Sequence, residues 1–249
     1  MLALFFGCLL IAFGPAVVFL FSIVLNHSHL TILAIVAAFY ELVGILITSL
    51  IWLAIPSTFS GATATALVLG VFFQETFRVL FVFSYIKGEK GLAKTTGIPT
   101  LPFTDFSSSV SSGFGFAVMY ALLMFGSLLG LSTGEADFFS ASCPSVSIFL
   151  VEAFATFGME ILHVSLMVLA FDAWRRKQSK ASKFFRISLV FIFHLLASLS
   201  TLLNSDIKAG GCVLGMPLLF LTIFVTLVYT YKTVSEAGYH VKTMFENSE

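Results

Sequence analysis

Apolar runs long enough to cross a bilayer recur along this chain, and no other feature restricts its folding so severely. About 20 such residues as helix cross roughly 30 Å of hydrocarbon, where every backbone N–H and C=O must find its partner within the segment. Seven runs meet that length, at approximately residues 2–25, 30–55, 63–86, 110–132, 146–171, 184–203 and 212–232, with a tail at 233–249. With 58% hydrophobic and 10% charged residues, the chain has too little polar side chain to clothe a water-soluble fold. The expected architecture is an all-α, polytopic seven-helix transmembrane bundle forming one domain. No linker is long enough for a separate soluble domain. The first run lacks a basic leader and exceeds a signal core in length, so it is expected to stay as a span.

The formal net charge is zero, but its signs are segregated. Lys87, Lys90 and Lys94 fall in the third linker, and Arg175, Arg176, Lys177, Lys180 and Lys183 in the fifth, with Arg186 just beyond; Lys232 and Lys242 close the chain. The second and fourth linkers carry no basic residue and the sixth only Lys208. The positive-inside rule then places the amino terminus outside or in the lumen and the carboxyl terminus in the cytosol. In that topology the sequon Asn26-His27-Ser28 lies in a tight cytosolic turn, where it reads as chance. Cys8, Cys143 and Cys212 have no CxxC spacing, so neither a disulfide framework nor a zinc site is expected.

Ionisable residues interrupt the apolar runs. Glu41 lies in span two, Gln74, Glu75 and Arg78 in span three, Glu152, Glu160 and His163 in span five, and His194 in span six. A charge at the bilayer centre costs about 2.5–3.5 kcal/mol on insertion scales, so these groups should face the bundle and not lipid. Glu75 and Arg78, three apart, share a helix face and can compensate each other. Glu152 and His163 are three turns apart on one face, and Glu160 lies within about 80° of Glu152, so one polar stripe of span five should point inward.

That stripe has little catalytic promise. Glu160-x-x-His163 has the spacing of half a di-metal carboxylate site, but the second half and the further glutamates are missing. No HExxH motif is present. No aspartate lies within any span, so an aspartyl dyad sharing a proton is not available to this chain alone. In span four, Gly113, Ala117 and Ala121 recur every four residues and form a groove of small side chains, suited to internal packing or to a partner helix; Gly126 and Gly130 lie off that line. Gly14-Pro15 and Pro217 are kink candidates. The thirty phenylalanines read as lipid-facing bulk.

Several segments carry a resemblance in the right order: FFGCLLIAFGPAVVF, FFQETFR, GFGFAVMYA, ILHVSLMVLAFDAWRR and FHLLASLSTLLN. Over nearly its whole length the chain resembles the anterior-pharynx-defective family, the seven-span scaffold subunit of the γ-secretase intramembrane protease. The resemblance implies that the family's glycine repeat on span four falls on Gly113, Ala117 and Ala121, with two glycines replaced by alanine. It places the family's two intramembrane histidines on His163 and His194, and its Gln-Glu-x-x-Arg element on Gln74, Glu75, Phe77 and Arg78. Glu41, Glu152 and Glu160 depart from the family, standing where apolar or aromatic residues are expected.

The implied function is a scaffold with no active site and no cofactor. Its partners would be presenilin, nicastrin and the presenilin enhancer subunit within membrane lipid, with no nucleic acid, acting on type I membrane stubs such as Notch and amyloid precursor protein. The implied locations are the endoplasmic reticulum, Golgi and plasma membrane. His163 and His194, with Glu75 near them, are expected to form a polar cluster that fixes how spans three, five and six meet. Glu160 stands one turn from His163, either as its carboxylate partner or as a protonated acid in its own right.

A heptahelical receptor is the rival reading, but the chain lacks an Asp/Glu-Arg-Tyr triplet ending span three and an Asn-Pro-x-x-Tyr in span seven. A proton-coupled transporter using the intramembrane Glu and His residues is a further alternative. Neither internal repeats nor matched broken helices support it.

Overall fold

A computed structural model describes residues 2–54, 62–97, 102–133, 139–140, 142–176, 179–205 and 211–236. Seven helical segments among them are long and apolar enough to cross a membrane. The first is α1 (Leu2–Phe19) continued by a π-helical turn (Leu20–Val24), followed by α2 (Ser28–Leu53) and α3 (Ala62–Thr96). Next come α4 (Pro102–Met124) with its short continuation α5 (Gly126–Leu131), a two-stranded antiparallel ribbon of β1 (Phe139–Ser140) and β2 (Cys143–Ser147), and α6 (Ile148–Arg175). Helix α7 (Lys180–Leu202) ends in a 3-10 turn (Leu203–Ser205), and α8 (Cys212–Glu236) completes the bundle.

Helix α6 is the axis of the fold. Of its apolar window 78% is buried, against 11% for α1, because α1, α3, α4, α7 and α8 all pack on it. Small residues let α4 sit between α6 and α2. A Cβ on Gly113 would come within 2.7 Å of the Val164 Cα and 3.0 Å of the Met167 Cβ, and one on Gly115 would collide with the Ala34 backbone. Ala117 and Ala121 are buried beside them. Polar contacts join the same helices: the Ser111 hydroxyl donates to the Leu30 carbonyl at 2.7 Å, and the Tyr85 hydroxyl to Ser108 Oγ at 3.1 Å.

Several boundaries differ from the apolar runs, for physical reasons. Helix α3 continues to Thr96, through the lysines assigned to a linker, because a helix already nucleated in the membrane can propagate into water with good helix formers. Helix α6 reaches Arg175 and so takes in Asp172, which is buried. An aspartate therefore does lie inside a span. Its charge is tolerated because arginines meet it, a pairing that hydropathy cannot register.

The fourth run breaks at Phe125, whose ring is buried. The tail begins later than 233, since Thr233 and Val234 are buried in α8. Pro15 and Pro217 both lie inside helices that continue past them. Residues 55–61, most of the sixth linker and 237–249 lie outside the described residues.

Two further expectations are corrected. Phenylalanine is not simply lipid-facing bulk: Phe81, Phe116, Phe125, Phe149 and Phe171 are core residues at 2% exposure or less. Aromatic rings bury large areas and fill the gaps between helices as readily as they face lipid. Cys143, in β2, is disulfide-bonded. Pairing of cysteines is set by proximity in the fold, which linear spacing leaves open.

Candidate functional site

The interior polar residues converge on Arg78 of α3. Its side chain is fully buried and the ring of Phe116 lies under the guanidinium, 4.9 Å from Cζ to the ring centroid. Nε donates to both carboxylate oxygens of Glu75, at 3.1 and 3.0 Å, one helical turn earlier. Nη1 donates to the His163 carbonyl at 3.0 Å, and Nη2 contacts His163 Nδ1 at 2.9 Å. A guanidinium can only donate, so His163 Nδ1 is the acceptor and the imidazole is neutral, its proton on Nε2.

Helix α7 closes the cluster. His194 Nδ1 lies 2.6 Å from Glu75 Oε1, a contact that a carboxylate can make only by accepting the ring N–H. The rings of His163 and His194 meet edge to face with centroids 4.9 Å apart, and Tyr120 of α4 lies 4.8 Å from His163 on another side. Glu75, Arg78, His163 and His194 thus form one chain of contacts joining α3, α6 and α7. The i,i+3 pair supplies its own charge balance, and the histidines extend it to two other helices.

The other interior acids are placed differently. Glu41 of α2 has no exposed surface and lies within electrostatic reach of Arg78 and Glu75, yet neither of its oxygens has a hydrogen-bond partner. Gln74 Oε1 and His163 Nε2 are also buried without partners. Glu160 forms no ion pair or hydrogen bond with His163, and its Oε1 has no partner. Glu152 is half-buried, within electrostatic reach of Tyr120. Glu160 and His163 of span five are buried and Glu152 is half-buried, as an inward polar stripe requires, but the three do not share one set of contacts. Helix α6 is buried around most of its circumference, so Glu160 and His163 meet different surroundings.

A second charged cluster lies where α6 ends, and sequence reasoning passed over it as linker. Asp172 accepts from Arg176 at 3.1 Å and from Arg186 of α7 at 2.9 Å. Arg175 pairs with Glu89 on the extension of α3. Arg176 also donates to the Thr233 carbonyl of α8 at 3.4 Å, and the Lys183 ammonium sits 3.2 Å above the Trp174 ring. The signal available in the sequence was the i,i+4 spacing of Asp172 and Arg176.

Among the described residues no three His, Cys, Asp or Glu side chains gather in a metal-binding group. Asp172 is held by two arginines, Arg176 and Arg186. What the geometry does is tie helices together through charge-assisted hydrogen bonds in a low-dielectric interior.

Comparison with known proteins gives a consistent kinship. Residues 3–237 match the family described as Aph-1 protein. A relative from Arabidopsis thaliana, "Gamma-secretase subunit APH1-like", is 31% identical, covering 92% of this chain and 91% of its own length. "Gamma-secretase subunit APH-1B" of Homo sapiens is 31% identical over 82% of this chain and 79% of its own length. "Gamma-secretase subunit Aph-1" of Drosophila melanogaster is 28% identical, with 81% and 82% covered.

Proposed function

The chain belongs to the Aph-1 family, and on that premise we propose that it is the non-catalytic scaffold subunit of a γ-secretase complex. In this reading it holds presenilin, nicastrin and the presenilin enhancer subunit together while presenilin supplies the catalytic aspartates. The complex would cut type I membrane stubs such as Notch and amyloid precursor protein, in the endoplasmic reticulum, Golgi and plasma membrane. The observation that carries the scaffold role is the contact chain Glu75–Arg78–His163 and Glu75–His194, in which intramembrane ionisable groups are spent on one another across three helices. A hydrogen-bonded charge network spanning three helices supports a role in fixing how those helices meet.

The groove of Gly113, Ala117 and Ala121 contributes to assembly from within. Its Gly113 face is filled by α6 of the same chain, so it sets the shape that partners meet. Two observations support an amino terminus in the lumen. Basic residues cluster where α6 ends, and the disulfide-bonded Cys143 stands just before α6 begins, at the end suited to an oxidising compartment.

The test is a mild-detergent purification through a tag on this chain, with its companions identified by mass spectrometry. Recovery of presenilin and nicastrin, with cleavage confined to the complex, is the expected result. Hydrolysis by the purified chain alone would refute the reading.

A further inference from the structure

Among the described residues, the positive charge where α3 ends and α7 begins exceeds the negative charge packed against it. Lys87, Lys90 and Lys94 lie on the stretch of α3 that continues beyond the apolar run, within about 60° of one another around the helix. All three are exposed. Across from them, Lys183 of α7 comes within electrostatic reach of Lys90 while resting on Trp174, and Lys180 is exposed one turn before it. The carboxylates packed into this end, Glu89 and Asp172, are both taken by arginines. None of the five lysines has a carboxylate partner among the described residues.

The position of this patch narrows its partner. The lysines begin one residue past Ile86, where the apolar run of α3 stops, and Lys183 is followed directly by Phe184 and Phe185, exposed at 73% and 61%. Ammonium groups thus lie at the rim of the membrane-crossing bundle, with outward phenylalanines immediately below. We infer that the surface formed by Lys87, Lys90, Lys94, Lys180 and Lys183 binds the headgroups of anionic phospholipids, the phenylalanines lying against their acyl chains. Clustered lysines next to a membrane span attract anionic headgroups, and the apolar step beneath them suits an amphiphile better than a soluble acidic peptide. The inference does not depend on assembly with other subunits.

The test uses the purified full chain in mild detergent, titrated with phosphatidylserine or phosphatidylcholine, with bound lipids counted by native mass spectrometry. Phosphatidylserine is expected to bind at least about fivefold more tightly, with the preference weakening as salt is raised. A chain carrying Lys87→Gln, Lys90→Gln, Lys94→Gln, Lys180→Gln and Lys183→Gln should lose the preference, and the five corresponding arginine substitutions should keep it. Equal binding of the two lipids, a preference unchanged by salt, or a preference surviving in the glutamine variant would overturn the inference. So would a poly-glutamate peptide binding as tightly as phosphatidylserine. If the glutamine variant fails to fold, the lipid comparison and its salt dependence on the unmodified chain still decide.

Discussion

Replacing Arg78 by leucine would strand the Glu75 carboxylate in the bundle with only His194 against it and leave the His163 Nδ1 lone pair without its donor. Breaking a buried pair by removing one partner costs about 3–5 kcal/mol, so Arg78→Leu should unfold at markedly lower temperature in mild detergent. Arg78→Lys should recover only part of the loss, because a lysine lacks the planar fork that reaches Glu75 and His163 together. His163→Leu removes one acceptor and leaves a guanidinium N–H unsatisfied, for a smaller cost of about 1–3 kcal/mol. Replacing His163 and His194 together removes both imidazole contacts, leaving the Arg78 bond to the residue 163 carbonyl as the cluster's polar tie between α3 and α6, and should sharply lower recovery of partner subunits. Normal assembly and cleavage in that double variant would remove the cluster from the proposed scaffold role.

Among elements, α4 leaves little room for change where it meets α6. Gly113 has no room for a side chain against Val164, whereas a Cβ added at Gly126, where α5 begins, would meet nothing within 4 Å. Gly113→Val should therefore push α4 from α6 and cost about 1–3 kcal/mol of overpacking. Gly126→Ala should be neutral or slightly stabilising, since it only restricts the unfolded chain. Thermal melts of both variants side by side check this, and equal melting temperatures would contradict the packing argument. The alanines at 117 and 121 keep the same face small, which is why two methyl groups are tolerated along a groove whose first position accepts none.

For the whole molecule, the two charged clusters mark two depths of the same bundle. The one at Arg78 fixes the middle of α3, α6 and α7, and the one at Asp172 fixes their ends together with α8. Asp172→Asn should loosen that end and lower the melting temperature, while the assembled complex keeps its ability to cleave substrate. Loss of all cleavage from a complex of normal composition would instead give Asp172 a direct chemical part. The disulfide at Cys143 tethers the opposite end, so reduction should also lower the melting temperature, typically by an amount worth about 2–4 kcal/mol.

The span count, the helical class and the presence of interior ionisable groups were all readable from the chain, because hydrocarbon imposes length and backbone pairing on each segment locally. The Glu75–Arg78 pair was equally legible, as both partners sit on one turn of one helix. Everything that required two helices to meet was not. That His163 belongs to Arg78 and not to Glu160, that Asp172 is buried between arginines, that Glu41 is buried with no hydrogen-bond partner among the described residues and that α6 is the axis all depend on which faces pack together. Apolar surfaces in lipid carry no preferred mate until side chains of matching size and charge come into contact. The sequence could therefore number the helices, but only their packing decided which charges were neighbours.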